Sequence, residues 1–309
     1  MANSHAEGIV TGRVELRKKG YQMADRPRFG PAGVPASYTL MKATLSDVPR
    51  LLRDEGLDAF EYEAIRWGPK PQIKREHAEE LGKAALKNDV MLSVHGSYFI
   101  NFCGERDVVE SSKRRLIACA TAAEWMGAYV VVFHPGFYGR GIHTEVFKGC
   151  IEALEDVVKR MQEAGLKTVK IGPETSGKPT QVGSLDDVLD ICQEVNKTHL
   201  VIDWSHLHAR DRGRFKTHQD FRKVLEIAED RIGIEAVRNM HCHFSKIEFT
   251  EKGERRHHVL EEHGYGPDFE MLAKIVVEFK LKPVFICETP LLNIDAVKMR
   301  DIFIRQLQQ

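Results

Sequence analysis

Short apolar runs alternate with longer segments of helical periodicity from residue 28 onward. The apolar runs have strand length, and VVVF at 130–133 is apolar at every position, as in a strand that helices cover on both faces. Eight such runs are followed by helical segments, which predicts a parallel α/β fold. The predicted strands lie near Arg28–Gly30, Ala59–Glu63, Met91–His95, Tyr129–His134, Val169–Glu174, Leu200–Asp203, Asn239–His243 and Val284–Glu288.

The helical segments carry local start and stop signals. Ser184 followed by Asp187 resembles a capping box, and Gly56 and Gly165 follow apolar-periodic helices as C′ glycines do. The predicted helices are Ser46–Glu55, Lys74–Asn88, Glu105–Met126, Thr144–Ala164, Ser184–Val195, His218–Ala228, Asp268–Phe279 and Ile294–Leu307.

Eight strand–helix units fit a closed (β/α)₈ TIM barrel. A doubly wound sheet is the alternative, and the lack of a GxGxxG or Walker glycine loop after any strand weakens it. We expect residues 27–309 to form a single barrel domain. Residues 1–26 precede the first strand and are expected to form an extra N-terminal arm or a partly disordered segment.

Composition and charge exclude several classes of protein. Lys plus Arg and Asp plus Glu each number 45 in 309 residues, so bulk charge alone would not hold this chain on nucleic acid. The loop HARDRGRFK at 208–216 is locally basic and would either contact phosphate or be a solvated loop. No membrane span or signal peptide is visible. Six scattered cysteines without a CxxC pair suit a reducing compartment, so we expect a cytoplasmic protein, and no obligate protein partner is evident.

Six consecutive predicted strands end in a residue that can bind metal. In a barrel the carboxyl ends of the strands converge on one face, where active sites of this fold lie. Each residue taken alone is more often a hydrogen-bonded structural residue, but the ordered set favours a metal site. The residues are His95, His134, Glu174, Asp203, His241 and Glu288, and His206 follows Asp203 by three residues.

This set exceeds the needs of one ion. Imidazole and carboxylate together suit zinc, and also manganese or iron. Three strand-end histidines with three carboxylates are more ligands than one tetrahedral ion uses, so we expect two divalent ions, with a third left open. Two ions about 4 Å apart commonly clamp the oxygens in displacement at phosphorus.

The strand ends belong to short motifs that occur in a fixed order along the chain. With these motifs the chain resembles the endonuclease IV group of apurinic/apyrimidinic endonucleases, within the broader xylose isomerase-like barrels. The resemblance runs from about Phe29 to Pro290. The motifs are HGSYFIN at 95–101, VVFHPG at 131–136, PETSG at 173–177, DWSH at 203–206, MHCHFSK at 240–246 and CETP at 287–290, and FGPAGVP at 29–35 resembles the start of one branch of these barrels.

The resemblance implies a zinc phosphodiesterase, a hydrolase of DNA repair, that cuts damaged duplex DNA 5′ to an abasic site by attack of a metal-activated hydroxide on phosphorus. Glu174 would bridge two ions and position the hydroxide. Tyr98 and Asn101 match positions that engage the DNA. The implied ligands are His95, His134 and Glu174 for the first ion, Glu174, Asp203, His241 and Glu288 for the second, and His206 and His257 for the third.

One position departs from the family. The third ion of the family uses an Asp two residues before the equivalent of His257, and Arg255 stands there. Glu254 is a candidate substitute, and His243 and His258 are others. The hypothesis that we favour places Arg255 in the cleft as a phosphate clamp for DNA in place of the third ion, because its planar fork suits phosphate.

Two other functions stay open at this stage. A sugar isomerase or epimerase on the same barrel would need only Glu174, Asp203, His241 and Glu288, and would leave His95, His134 and His206 without a role. A barrel that binds metal or a DNA lesion without catalysis is the second alternative, and the change at Arg255 is its support.

Overall fold

The computed structural model describes residues 23–308, and residues 1–22 of the predicted arm lie outside the described residues. Eight short parallel strands form the centre of the molecule. They are β1 (Arg28–Pro31), β2 (Ala59–Glu63), β3 (Met91–His95), β4 (Val130–Phe133), β5 (Lys170–Pro173), β6 (Val201–Asp203), β7 (His241–Phe244) and β8 (Val284–Cys287).

The eight strands close into a ring. One arc runs β2-β3-β4-β5, and the other runs β1-β8-β7-β6, with every pair parallel. Parallel bridges join the arcs, from Ala32 to Glu61 between β1 and β2 and from Glu174 to Val201 between β5 and β6. The predicted (β/α)₈ barrel is therefore confirmed, and the doubly wound alternative is wrong.

Helices surround the ring, and each of the eight predicted helices is present, although the one that begins at His218 continues to Ile232 and the short helices Ala36–Leu40, Trp204–Arg210 and Ile234–Arg238 were not predicted. Ser184 accepts a hydrogen bond from the Asp187 backbone N–H in a complete capping box. Gly56 and Gly165 both have φ values in the left-handed region, at 77° and 76°. The helices are Ala36–Leu40, Val48–Asp54, Arg75–Lys87, Arg106–Met126, His143–Glu163, Leu185–Glu194, Trp204–Arg210, His218–Ile232, Ile234–Arg238, Phe269–Glu278 and Asn293–Leu307, with a 3₁₀ turn at Leu45–Asp47.

The loops at the carboxyl ends of the strands contain elements that the periodicity did not predict. An antiparallel hairpin of Lys246–Thr250 and Gly253–His258 follows β7, and Gly136–Phe137 pairs with Gln181–Val182. The helix Trp204–Arg210 begins directly after β6. These elements are short, and GERRHH lacks the alternation of a half-buried strand, so their pairing depends on neighbours distant in sequence.

The barrel interior changes character along its axis. At the amino ends of the strands it is apolar, with Ala24, Met91 and Val130 in one buried cluster. Toward the carboxyl ends it becomes polar, and Glu61 and His243 are fully buried there. The interior therefore delivers polar side chains to the face on which the strands end. Over residues 23–308, no helix is both long and apolar enough to cross a bilayer.

Candidate metal centre

Five of the six predicted strand-end residues, all except His241, meet at the carboxyl face of the barrel, as the parallel ring requires. His95 ends β3 and Asp203 ends β6, whereas His134, Glu174 and Glu288 follow β4, β5 and β8 by one residue. Strand hydrogen bonds set the height of these backbones relative to one another. The side chains consequently converge without any long-range loop having to place them.

Glu174 lies at the centre of the cluster and has no exposed surface. Its Oε2 lies 3.5 Å from His95 Nε2 and 3.3 Å from His134 Nε2. Its Oε1 lies 3.0 Å from His243 Nδ1 and 3.4 Å from His206 Nδ1. One carboxylate thus presents one oxygen to His95 and His134 and the other to His243, which is the arrangement a bridging ligand needs.

A second group of ligand atoms joins Glu174 with Asp203, His243 and Glu288, all within 4.8 Å of one another. The sequence prediction had placed His241 in this group, and the structure corrects it. His243 is in register with Asp203 on β6, whereas His241 is in register with Val201, two residues deeper in the barrel. His241 therefore points into the interior below the cluster, and His243 occupies the position assigned to it.

A third group contains His206, His257 and Glu288, again with ligand atoms within 4.8 Å. Glu254 adds a carboxylate whose Oε2 lies 3.1 Å from His206 Nε2. Arg255 points away: its side chain is 66% exposed and pairs with Glu248 at 2.6 Å. The favoured hypothesis of Arg255 as a phosphate clamp in the cleft is therefore wrong, and Glu254 is the residue of this pair whose carboxylate reaches the third group.

A β-bulge explains how a carboxylate displaced by one residue reaches the same place. Phe249 pairs with Glu254 and Ile247 pairs with His257, with a shift of register between Glu248 and Phe249. Arg255 is the extra residue. Residues three apart on a regular strand face opposite sides, but the inserted residue puts Glu254 and His257 on one side.

The loop after β5 accommodates the Glu254 side chain. A Cβ atom at Gly177 would lie 2.2 Å from Glu254 Oε2, so only glycine leaves room for it. The Glu254 backbone N–H also donates to the Gly177 carbonyl, at 3.2 Å. Gly177 of the PETSG motif thus leaves the space in which Glu254 reaches the third group of ligands.

Backbone and hydroxyl groups orient the imidazoles from behind. His95 Nδ1 contacts the Gly96 carbonyl at 3.0 Å, and His206 Nδ1 contacts the Thr175 carbonyl at 2.9 Å. His134 Nδ1 lies 3.2 Å from Ser176 Oγ. Nδ1 donation to these groups leaves each Nε2 lone pair directed at the cluster, as in metal-binding histidines. Burial lowers the pKa of His134 to about 4 despite the opposing effect of Glu174, so this imidazole is neutral near pH 7.

The donor set fits divalent cations. Three carboxylate oxygens of this cluster are buried and have no hydrogen-bond partner in the described part of the chain: Glu174 Oε2, Asp203 Oδ2 and Glu254 Oε2. Burial raises the pKa of the Glu288 carboxyl, and Asp203 and Glu174 raise it further, while His243 acts in the opposite direction. Unpaired buried carboxylates are costly, and cations placed between them would compensate that cost.

The two residues predicted to contact DNA differ in their surroundings. Tyr98 is 58% exposed and packs edge-on against the His95 ring, with centroids 5.4 Å apart. Asn101 is partly buried, and its Oδ1 accepts hydrogen bonds from the backbone N–H groups of Cys103 and Phe137. Asn101 thus ties the loop after β3 to the loop after β4, and its contact with DNA stays a prediction.

The basic loop predicted at 208–216 is partly helical, and the Arg210 side chain is hydrogen-bonded within the protein. Its guanidinium donates to the carbonyl oxygens of Lys178 at 2.6 Å and Gln181 at 3.1 Å. It therefore supports the loop after β5. Arg212 is exposed and remains available to a phosphate.

Sequence reasoning missed two residues here. Glu61 on β2 was not singled out, because a single Glu in a strand carries no signal of its own. His243 was named only as a substitute for the third site. The HxH spacing of His241 and His243 was the available signal, since residues two apart on a strand share one face.

Variants of the adjacent residues Glu254 and Arg255 test which of the two belongs to the third group of ligands. Glu254→Ala should lower the number of bound ions by one, because it removes a buried carboxylate ligand. Arg255→Ala is the matched control and should leave the number of bound ions unchanged, because its side chain lies outside the cluster. Equal ion content in both variants, measured by plasma mass spectrometry, would contradict this assignment.

Comparison with known proteins places the chain among barrels of this type. A model of the xylose isomerase-like TIM barrel family matches residues 49–302. An uncharacterised protein of Methanocaldococcus jannaschii is 35% identical over 271 residues, covering 87% of this chain and 94% of that protein. A probable endonuclease 4 of Staphylococcus carnosus is 28% identical over 258 residues, covering 79% and 83%.

Solved structures give two kinds of neighbour. Endonuclease IV from Thermus thermophilus superposes with a TM-score of 0.66 at 20% identity, covering 91% of this chain and 99% of that one. A D-tagatose 3-epimerase-like protein has the same TM-score of 0.66 at 18% identity, covering 91% and 97%. At these identities both neighbours share the fold, and they do not distinguish between the two chemistries.

Proposed function

The chain belongs to the xylose isomerase-like TIM barrel family, and from its ligand set we propose that it is a metal-dependent phosphodiesterase that cleaves DNA at abasic sites. The observation that carries the proposal is the sharing of Glu174 and Glu288 among overlapping groups of ligands. His95 and His134 contact one oxygen of Glu174, and His243 contacts the other. A sugar isomerase on this barrel would leave His95 and His134 without a role.

Exposed aromatic side chains at the edge of the carboxyl face favour a large substrate with flat rings. Tyr98 and Phe99 on the loop after β3 are 58% and 59% exposed, and Phe137 after β4 is 47% exposed. Exposed aromatic rings beside a metal cluster suit stacking on unpaired or displaced bases. The similarity to a probable endonuclease 4 over 79% of the chain also supports DNA as the substrate.

Divalent ions held here would neutralise phosphate charge and acidify a water molecule. Zinc is the expected ion, because it prefers sites of imidazole and carboxylate ligands. The protein's own contribution is placement. Glu174 holds two ligand groups at a separation set by one carboxylate, and the complete burial of Glu174 and Asp203 excludes bulk water from the centre. Tyr98, against His95, orients the substrate beside the cluster.

A nicking assay together with metal analysis tests the proposal. Purified protein should contain at least two divalent ions per chain and should cut a labelled duplex with one tetrahydrofuran abasic analogue, leaving the intact duplex uncut. A chelator should abolish cutting, and zinc or manganese should restore it. Protein with fewer than one ion per chain and no activity after addition of either metal would refute the proposal.

A sugar epimerase or isomerase is the second candidate, and one observation favours it. Glu174, Asp203, His243 and Glu288 alone form a complete group with ligand atoms within 4.8 Å. The assay for this candidate is interconversion of ketohexoses with manganese present. Sugar turnover without nicking would replace the nuclease proposal, and binding of abasic duplex without either reaction would indicate a non-catalytic lesion-binding barrel.

A further inference from the structure

A second cluster of titratable side chains lies inside the barrel, below the metal-binding face, and the chemistry proposed above does not use it. Glu61, His241 and His243 are fully buried, and Tyr129, directly before β4, is 5% exposed. His243 belongs to both clusters. Its Nδ1 faces Glu174, and its Nε2 lies 2.9 Å from Glu61 Oε1.

The contacts form a chain from the barrel interior to the metal face. Tyr129 Oη lies 2.5 Å from His241 Nδ1. His241 Nε2 lies 3.2 Å from Glu61 Oε2, which also accepts a hydrogen bond from Ser93 Oγ at 2.8 Å. Glu61 Oε1 is buried and has no hydrogen-bond partner of good geometry among residues 23–308, so the nearby His243 imidazole is the group that offsets the cost of burying it.

Once His243 binds an ion through Nδ1, one arrangement of protons gives each oxygen of Glu61 an N–H, with the Nε2 atoms of His241 and His243 lying 3.2 Å apart beside it. A ligating Nδ1 carries no proton, so the proton of the neutral ring is on Nε2, facing Glu61 Oε1. If Tyr129 donates to His241 Nδ1, His241 carries its own proton on Nε2, facing Glu61 Oε2. The two oxygens of Glu61 then receive one N–H each.

We propose that Glu61 is a positioning residue that holds His243 in the tautomer whose Nδ1 lone pair faces the metal centre, with Tyr129 and His241 orienting Glu61 from behind. The inference rests on the proposed metal centre and adds a residue from β2, a strand that supplies no ligand to it. A carboxylate behind a metal-binding histidine fixes the ring and raises its basicity.

The same atoms could instead hold an additional ion, because Glu61, His241 and His243 place their ligand atoms within 4.8 Å of one another. That arrangement requires His243 to bind ions through both nitrogens, which demands loss of both ring protons. It also competes with the hydrogen bond that Ser93 donates to Glu61. The tautomer assignment needs neither change.

Glu61→Gln tests the proposal without altering the size of the side chain. The amide has one acceptor oxygen and one donor NH₂, so one of the two imidazoles loses its acceptor. At saturating zinc the ion count should equal that of the wild type, but the affinity of one ion should fall by about 10- to 100-fold in a chelator competition. Glu248→Gln, which changes a partly buried carboxylate that pairs with Arg255 outside the cluster, is the control and should keep wild-type affinity.

Nitrogen-15 spectra of the histidines in zinc-loaded protein provide a readout that stability alone would not change. The wild type should show His243 protonated at Nε2 with a slowly exchanging proton, and Glu61→Gln should lose that slow exchange. Unchanged zinc affinity in Glu61→Gln, or a wild-type His243 protonated at Nδ1, would overturn the proposal. Anomalous scattering from an ion between Glu61 and His241 would overturn it as well.

These outcomes are separable from those of the function itself. If the wild type binds zinc but does not nick DNA, the nuclease proposal fails, while the effect of Glu61 on zinc affinity can still be measured. If Glu61→Gln binds zinc as tightly as the wild type and both nick DNA, only the positioning role fails. A wild type without bound ions refutes both.

Discussion

Glu174→Gln is expected to reduce cleavage of an abasic duplex by about a thousandfold or more, equivalent to about 4 kcal/mol of transition-state stabilisation. The carboxylate contacts His95 and His134 through one oxygen and His243 through the other. An amide has no charge to hold two cations together, and its NH₂ group cannot act as a ligand. At least one ion should be lost, as measured by plasma mass spectrometry.

The control is Glu248→Gln, which changes a carboxylate on the hairpin that pairs with Arg255 outside the cluster. It should retain the wild-type ion content and activity. Circular dichroism should show the same helix content in the two variants, because Gln has the size of Glu and the bridge from Glu174 to Val201 is made by the backbone. A Glu174→Gln protein with full ion content and full activity would contradict the bridging role of Glu174 in the proposed mechanism.

His243→Ala is expected to have the second largest effect, with the loss of one ion and a fall in cleavage of about a hundredfold or more. His243 Nδ1 lies 3.0 Å from Glu174 and 3.2 Å from Glu288, so its removal opens the group that also contains Asp203. His241→Ala is the matched comparison. It removes the same side chain from the same strand at the same complete burial.

The two variants should differ in ion count at saturating zinc, with His241→Ala equal to the wild type. Both leave a cavity in the barrel, and comparable losses of thermal stability are expected from the truncation alone. The reverse result, in which His241→Ala loses the ion and His243→Ala keeps it, would restore the assignment suggested by the sequence motif. It would also remove the basis for a positioning role of Glu61.

Local features of the sequence determined the fold and most of the candidate site. Runs such as VVVF at 130–133 are apolar on both sides, and each is followed by a helix with its own start and stop signals. Such signals act over a few residues, so a parallel ring could be predicted from them. In a parallel ring a residue at a strand end must lie on the carboxyl face, and for that reason His95, Glu174 and Asp203 were predictable as neighbours.

Only the tertiary structure decided which residue of a closely spaced pair reaches the centre. His241 and His243 share one face of β7, and the register with β6 places His243, not His241, level with Asp203. Glu254 and Arg255 are adjacent, and a bulge in the hairpin turns Glu254 inward and Arg255 to solvent. Register and bulges are set by hydrogen bonds between strands distant in sequence, so a single strand's pattern cannot encode them.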